Sequence, residues 1–157
     1  MKYPITPRGL EKLKTELKSH KSERPAVADA IETARAHGDI SENADYDAAK
    51  EKSGMLEAKI RDLEARISNA QVIDPSKLSN PEKVVFGVSV KVAEIESGEE
   101  KVLSIYGSSE SDTSKGWISF ETPMARALIG KSVGDIAEMK LPGGNKSYEI
   151  LDIFIDY

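Results

Sequence analysis

Four carboxylates, Asp39, Glu42, Asp45 and Asp47, crowd into the short stretch that follows His37 and Gly38. Carboxylate oxygens are hard ligands. Mg²⁺ takes about six oxygens in octahedral geometry, usually one or two from protein carboxylates and the rest from phosphates and water. Asp39 and Glu42 could therefore supply part of a cation site and borrow the remainder from a partner. In a two-metal phosphoryl transfer, such an added pair holds the second ion and orients the attacking water. Capping explains the same spacing more plainly. Gly38 suits the left-handed end of a helix, Asp39 is a cap residue for the next one, and Glu42 falls where it can reach back to the cap amide. Asp45 and Asp47 then lie in the first turns, where the helix dipole favours negative charge. His37, beside a glycine stop, reads as a helix end rather than a metal ligand.

Two helices must carry that bend. Thr6 followed by Pro7 predicts a helix start, because the threonine hydroxyl satisfies a free amide and proline has none to leave unpaired. From there Leu10, Leu13, Leu17, His20, Arg24, Val27, Ile31 and Ala34 follow three-four spacing, the pattern of a coiled-coil seam. A second seam runs through Tyr46, Ala49, Ser53, Leu56, Ile60, Leu63, Ile67 and Ala70. Folding back at 38–41 sets Leu13 against Ile67, Leu17 against Leu63 and Ala34 against Tyr46, so the two runs form one antiparallel helical hairpin. Each arm of about 30 residues would be about 45 Å long, which puts the bend far from its root. His20 and Arg24 are polar seam positions, and Pro25 lacks an amide, so a kink or break is expected near residues 22–25. Ser22 is a candidate cap for the restarted helix.

After Ile73 the stretch DPSKLSNPEK has two prolines and no periodicity, and it reads as a linker over 75–82. Residues 83–157 turn to strand patterns: VVFGVSVKVAEI, EKVLSIYG, GWISFE, DIAEMKL and SYEILDIFIDY. Thr122 and Pro123 predict one short helix over MARALI that stops at Gly130. The expected fold class is α+β, with an antiparallel α-helical coiled-coil hairpin over 1–74 followed by an antiparallel β-sheet domain over 83–157.

The chain has 157 residues, a net charge of -5 and no cysteine. Residues 1–74 carry 13 Lys and Arg against 14 Asp and Glu, while residues 75–157 carry 9 against 13. Neither half is basic, which argues against a general nucleic-acid binder and leaves only local contacts. The absence of cysteine excludes disulfides and thiolate chemistry. MKYPITPRGL contains no apolar run of signal-peptide length and no later stretch reaches the length of a membrane span, so a cytoplasmic protein is expected.

Over essentially its whole length the sequence resembles the bacterial Gre transcript-cleavage factors, GreA more than GreB. The resemblance is carried by TPRGLEKLKTEL, ARAHGDISENADYDAAKE, ISNAQVID, TPMARALIGKSVGD and LPGGNKSYEI, in that order. It implies a coiled coil that enters the secondary channel of RNA polymerase and an FKBP-like domain that docks near the channel entrance. It implies no independent enzyme, but an activator of the polymerase's own cleavage of nascent RNA in backtracked complexes. By position, the catalytic tip pair of that family falls on Asp39 and Glu42. Contacts to the RNA 3′ end fall on Arg35 and Lys50, with Lys52 weaker, and Gly38, Asn43 and Tyr46 support the tip. Mg²⁺ is then expected only within the polymerase complex and not in the isolated protein, which is expected to be a monomer.

Three rivals remain at this level. An inhibitor on the same scaffold would depart from the Gly-Asp-x-x-Glu-Asn pattern, which this chain keeps at Gly38, Asp39, Glu42 and Asn43. A prolyl isomerase needs an aromatic-lined pocket, and Phe86, Tyr106, Trp117, Phe120 and Tyr148 read better as strand core. A coiled-coil adaptor without chemistry predicts that the tip carboxylates are dispensable.

Overall fold

In the computed structural model, residues 2–38 and 43–157 are described. The chain divides into two compact units, Leu10–Asn69 and a second made of Met1–Gly9 with Ala70–Tyr157.

The first unit is the predicted hairpin. Helix α1 runs Pro7–Ser22, α2 Arg24–Arg35 and α3 Ala44–Ser68. Both seams point inward: Leu13, Val27, Ala34, Leu56, Ile60 and Leu63 are buried. Val27, Leu56 and Ile60 form the centre, with Leu17 and Ile31 packed against them. Lys21 meets Glu64 and Arg24 meets Glu57 across the arms, as antiparallel pairing about the bend requires. Arg24 is the seam position that stays exposed. Its Nε and Nη2 donate to the two carboxylate oxygens of Glu57, each at 2.9 Å.

The expected break lies at Glu23, between α1 and α2. Pro25 falls in the first turn of α2, where its missing amide costs no hydrogen bond. Ser22 does not cap the restarted helix: its hydroxyl donates to the Ser19 carbonyl at 2.6 Å, and no side chain caps α2 at Glu23. Glu23 accepts from the other polar seam residue instead, with His20 Nδ1 at 3.0 Å.

The second unit holds a five-stranded sheet in the order β5-β4-β3-β7-β6. Its strands are β3 Ser89–Glu94, β4 Glu100–Tyr106, β5 Trp117–Ser119, β6 Ile136–Met139 and β7 Lys146–Phe154. All five predicted strand regions contribute, and the short helix α4 spans Pro123–Leu128 with Thr122 accepting from Ala125 N. The sheet is not wholly antiparallel, because β5 pairs in parallel with β4. Two 3-10 turns, at Ser108–Glu110 and Thr113–Lys115, carry the chain back between them. On β7, Tyr148 and Ile150 are buried at strand spacing, and a register shift opposite Lys91 and Val92 then brings Ile153 to the core. Val84, Val88, Val90, Ile105 and Leu128 belong to the same core.

The boundaries differ from those expected. Strand β1, Tyr3–Ile5, pairs in parallel with β2, Ala70–Val72, and the Ile73 amide continues the pairing to the Ile5 carbonyl at 2.8 Å. Both ends of the expected hairpin segment therefore belong to the sheet unit. The expected linker is no free tether either, since Pro75 is buried beside Gly87 and Leu78 packs on the sheet core.

Candidate functional site

The bend is framed by the end of α2 and the start of α3. The Ala36 amide returns to Glu32 O, the His37 amide to Ala34 O at 3.2 Å and the Gly38 amide to Arg35 O at 3.3 Å. Gly38 has φ of 110°, a conformation that a Cβ disfavours, so the helix stop read from this glycine is supported. Asp39 and Glu42 lie outside the described residues.

Helix α3 is capped by Asn43, whose side-chain oxygen accepts from the Tyr46 amide at 3.0 Å. The capping role expected of Asp39 is thus filled by a residue four positions later, which is an equally strong cap type. The Asn43 side-chain amide also donates across the bend to the carbonyl of Ala34, a buried residue. One side chain thereby ties the last turn of α2 to the first turn of α3. The resemblance marked Asn43 as a tip residue, whereas neither of these two hydrogen bonds was legible in the sequence. Asn is as good an N-cap as Asp, and no sequence signal shows which of two nearby candidates the helix uses.

The predicted RNA-contacting residues converge on one ring. Tyr46 is half-buried, with Arg35 Cζ 6.0 Å and Lys50 Nζ 5.5 Å from its ring centroid. Cations at that distance are attracted to the ring's negative face, so Tyr46 gathers two exposed positive charges from opposite arms. Arg35 also lies 3.8 Å from Glu32, an exposed pair that restrains it weakly. His37 Nδ1 is 3.8 Å from Asp45 Oδ2. Asp45 and Asp47 stand in the first turn of α3, where the dipole favours them. Among the described residues, no group of three or more His, Cys, Asp or Glu could hold a metal ion.

The aromatics of the sheet unit divide into separate groups. Phe86 and Phe120 meet edge to face at 6.0 Å, while Tyr106 is buried against Trp117 and Tyr157. A cleft lined by Leu103, Ile118, Met124 and Met139 includes none of them.

A hairpin unit with a cation-flanked bend and an α+β sheet unit together define a two-module class. Two family models match the modules in order: "Transcription elongation factor, N-terminal" over residues 3–72 and "Transcription elongation factor, GreA/GreB, C-term" over residues 79–154. The chain belongs to the GreA/GreB transcription elongation factor family. Curated relatives include Transcription elongation factor GreA of Brucella canis and of Brucella abortus, each 50% identical over 151 residues covering 96% of both chains. Among solved structures, the GreA factor homolog 1 protein of Thermus thermophilus is 23% identical with a TM-score of 0.45, covering 98% of this chain and 99% of that one. A GreA/GreB factor from Nitrosomonas europaea is 24% identical with a TM-score of 0.42, covering 98% of each chain.

Proposed function

We propose that this elongation factor inserts its hairpin into the secondary channel of bacterial RNA polymerase and stimulates the polymerase's own cleavage of nascent RNA in backtracked complexes. The observation that carries the reading is the 50% identity to GreA factors over 96% of the chain, which spans the bend and both modules. In this reading Asp39 and Glu42 are the catalytic carboxylates of the tip. Arg35 and Lys50, gathered on Tyr46, hold the phosphates of the extruded RNA 3′ end, and Gly38, Asn43 and Tyr46 fix the bend between them.

Two carboxylates match the hard-oxygen preference of Mg²⁺ but supply at most a minority of its ligands, which fits a site shared with the polymerase and not one complete on this chain. A second Mg²⁺ held there by Asp39 and Glu42 together with the polymerase would supply Lewis-acid polarisation and water activation. The chain's own contributions are negative charge at the bend, positive charge beside it and a side-chain tie that keeps the two helix ends together. It acts as a monomeric activator in the cytoplasm, without independent catalysis. No described helix is long and apolar enough to cross a membrane.

The test is addition of the protein to stalled, backtracked polymerase with Mg²⁺, reading short RNA products. Asp39→Asn and Glu42→Gln preserve shape and remove charge, so they should abolish stimulation while binding to the polymerase persists. Full activity of the doubly substituted protein would favour an adaptor, and a parent that binds and blocks without cleavage would favour an inhibitor.

A further inference from the structure

The first amides of a helix have no partners within it. For α1 they are satisfied largely by residues distant in sequence. The Thr6 amide donates to Glu110 Oε2 at 3.1 Å, Pro7 has no amide, the Arg8 amide donates to the Tyr157 hydroxyl at 2.8 Å, and the Gly9 amide donates to Thr6 Oγ1 at 3.1 Å. The Thr6 hydroxyl donates in turn to Glu110 Oε1, and the Gly107 amide donates to Glu110 Oε2 at 3.0 Å.

Glu110 is only 6% exposed, and a buried carboxylate is tolerated where hydrogen bonds stabilise its charge. The positive end of the α1 dipole adds to those bonds. Close approach is built in. A Cβ on Gly9 would run into the Glu110 carboxyl, and one on Gly107 would lie 2.9 Å from the Pro4 carbonyl and 3.0 Å from Glu110 Oε2. Beside this cap, the Arg8 guanidinium sits 4.4 Å from the Trp117 ring centroid and 4.5 Å from that of Tyr157.

We infer that Glu110 is a positioning residue for transcript cleavage: from 104 residues away it caps the helix that leads to the bend, and so governs how well the docked factor acts without touching RNA or metal. The inference rests on the function proposed above. The first turn of α1 belongs to the sheet unit and the rest of the helix to the hairpin unit, so a frayed first turn loosens the helix where one unit passes into the other. On this inference that turn serves productive action at the bend and not binding of the polymerase.

The experiment combines amide hydrogen exchange with a titration of factor against backtracked polymerase. Glu110→Gln turns one acceptor oxygen into a donor that faces donors. It should speed exchange at Thr6 and Gly107 about tenfold, the scale of one lost charge-assisted bond. The maximal cleavage rate should fall several-fold, with the half-saturating factor concentration unchanged. Thr6→Val should behave like Glu110→Gln, and Thr6→Ser, which keeps the hydroxyl, like the parent. If Glu110→Gln fails to fold, Tyr157→Phe tests the same cap through the Arg8 amide alone. Unchanged exchange would overturn the remote cap. Faster exchange with an unchanged maximal rate, or with only a raised half-saturating concentration, would overturn the positioning role. A parent that does not stimulate cleavage would overturn the proposed function instead, and exchange alone would then decide the cap.

Discussion

Replacing Asn43 with Ala removes two bonds at once: the cap to the Tyr46 amide at 3.0 Å and the donation to the buried Ala34 carbonyl. Loss of an Asn cap costs about 1 kcal/mol, and loss of the bond to the Ala34 carbonyl, which keeps its bond from the His37 amide, costs about another 1 kcal/mol, for about 2 kcal/mol in all. The hairpin unit, Leu10–Asn69, is in the size class where each kcal/mol moves a melting midpoint by about 4–8 °C, so the transition should fall by roughly 8–16 °C. The assay is thermal unfolding followed by the far-ultraviolet helical signal, which the three hairpin helices dominate. Asn43→Ser retains a capping oxygen but cannot donate across the bend, so it should lose about half as much. If Asn43→Ala melted with the parent, the tie across the bend would contribute nothing. If Asn43→Ser matched Asn43→Ala, the cap would be idle.

Two further outcomes follow from the hairpin. The side-chain hydrogen bond from Arg24 holds the Glu57 carboxyl below its ordinary value, and that bond likewise holds the Arg24 guanidinium above its own. A depressed carboxylate contributes stability above its unfolded pKa and loses it as pH falls through the folded one. A melting difference between the parent and Arg24→Gln should therefore exist at about pH 7, close as pH falls below the ordinary carboxylate range and shrink in high salt. Ile60 is 1% exposed at the centre of the hairpin core, so Ile60→Ala should destabilise that unit by about 2–5 kcal/mol in denaturant unfolding, with the sheet transition unmoved.

Three-four spacing revealed the hairpin because a long seam repeats one rule many times, and that redundancy survived two polar positions and a proline. The break at Glu23 was legible for the same reason, since Pro25 forbids one specific amide bond. Where a single residue had to choose between partners, the pattern failed. Ser22 had a carbonyl one turn back within reach, and the hydroxyl took it in preference to capping α2. Strands β1 and β2 were too short for alternation to appear, and Ala70 reads equally well as the last seam position. The irregular pattern of SYEILDIFIDY follows from the register shift on β7, which changes the buried parity between Ile150 and Ile153. Glu110 was invisible as a cap because nothing local to residue 110 announces a helix that begins at residue 7. At the bend, seam spacing picked out Tyr46 and the family resemblance picked out Arg35 and Lys50, yet their gathering on one ring depends on the packing of two arms.

Strands β1 and β2 lie side by side at Tyr3 and Ala70, so the whole helical excursion leaves and rejoins the sheet unit at neighbouring points. Topologically it is an insertion whose closure is already made by its host. Because the entropy of closing a loop grows only with the logarithm of its length, matched turns can be added to or deleted from both arms at little cost to the root. The length of the hairpin is thus an adjustable dimension, set independently of the strands that close it.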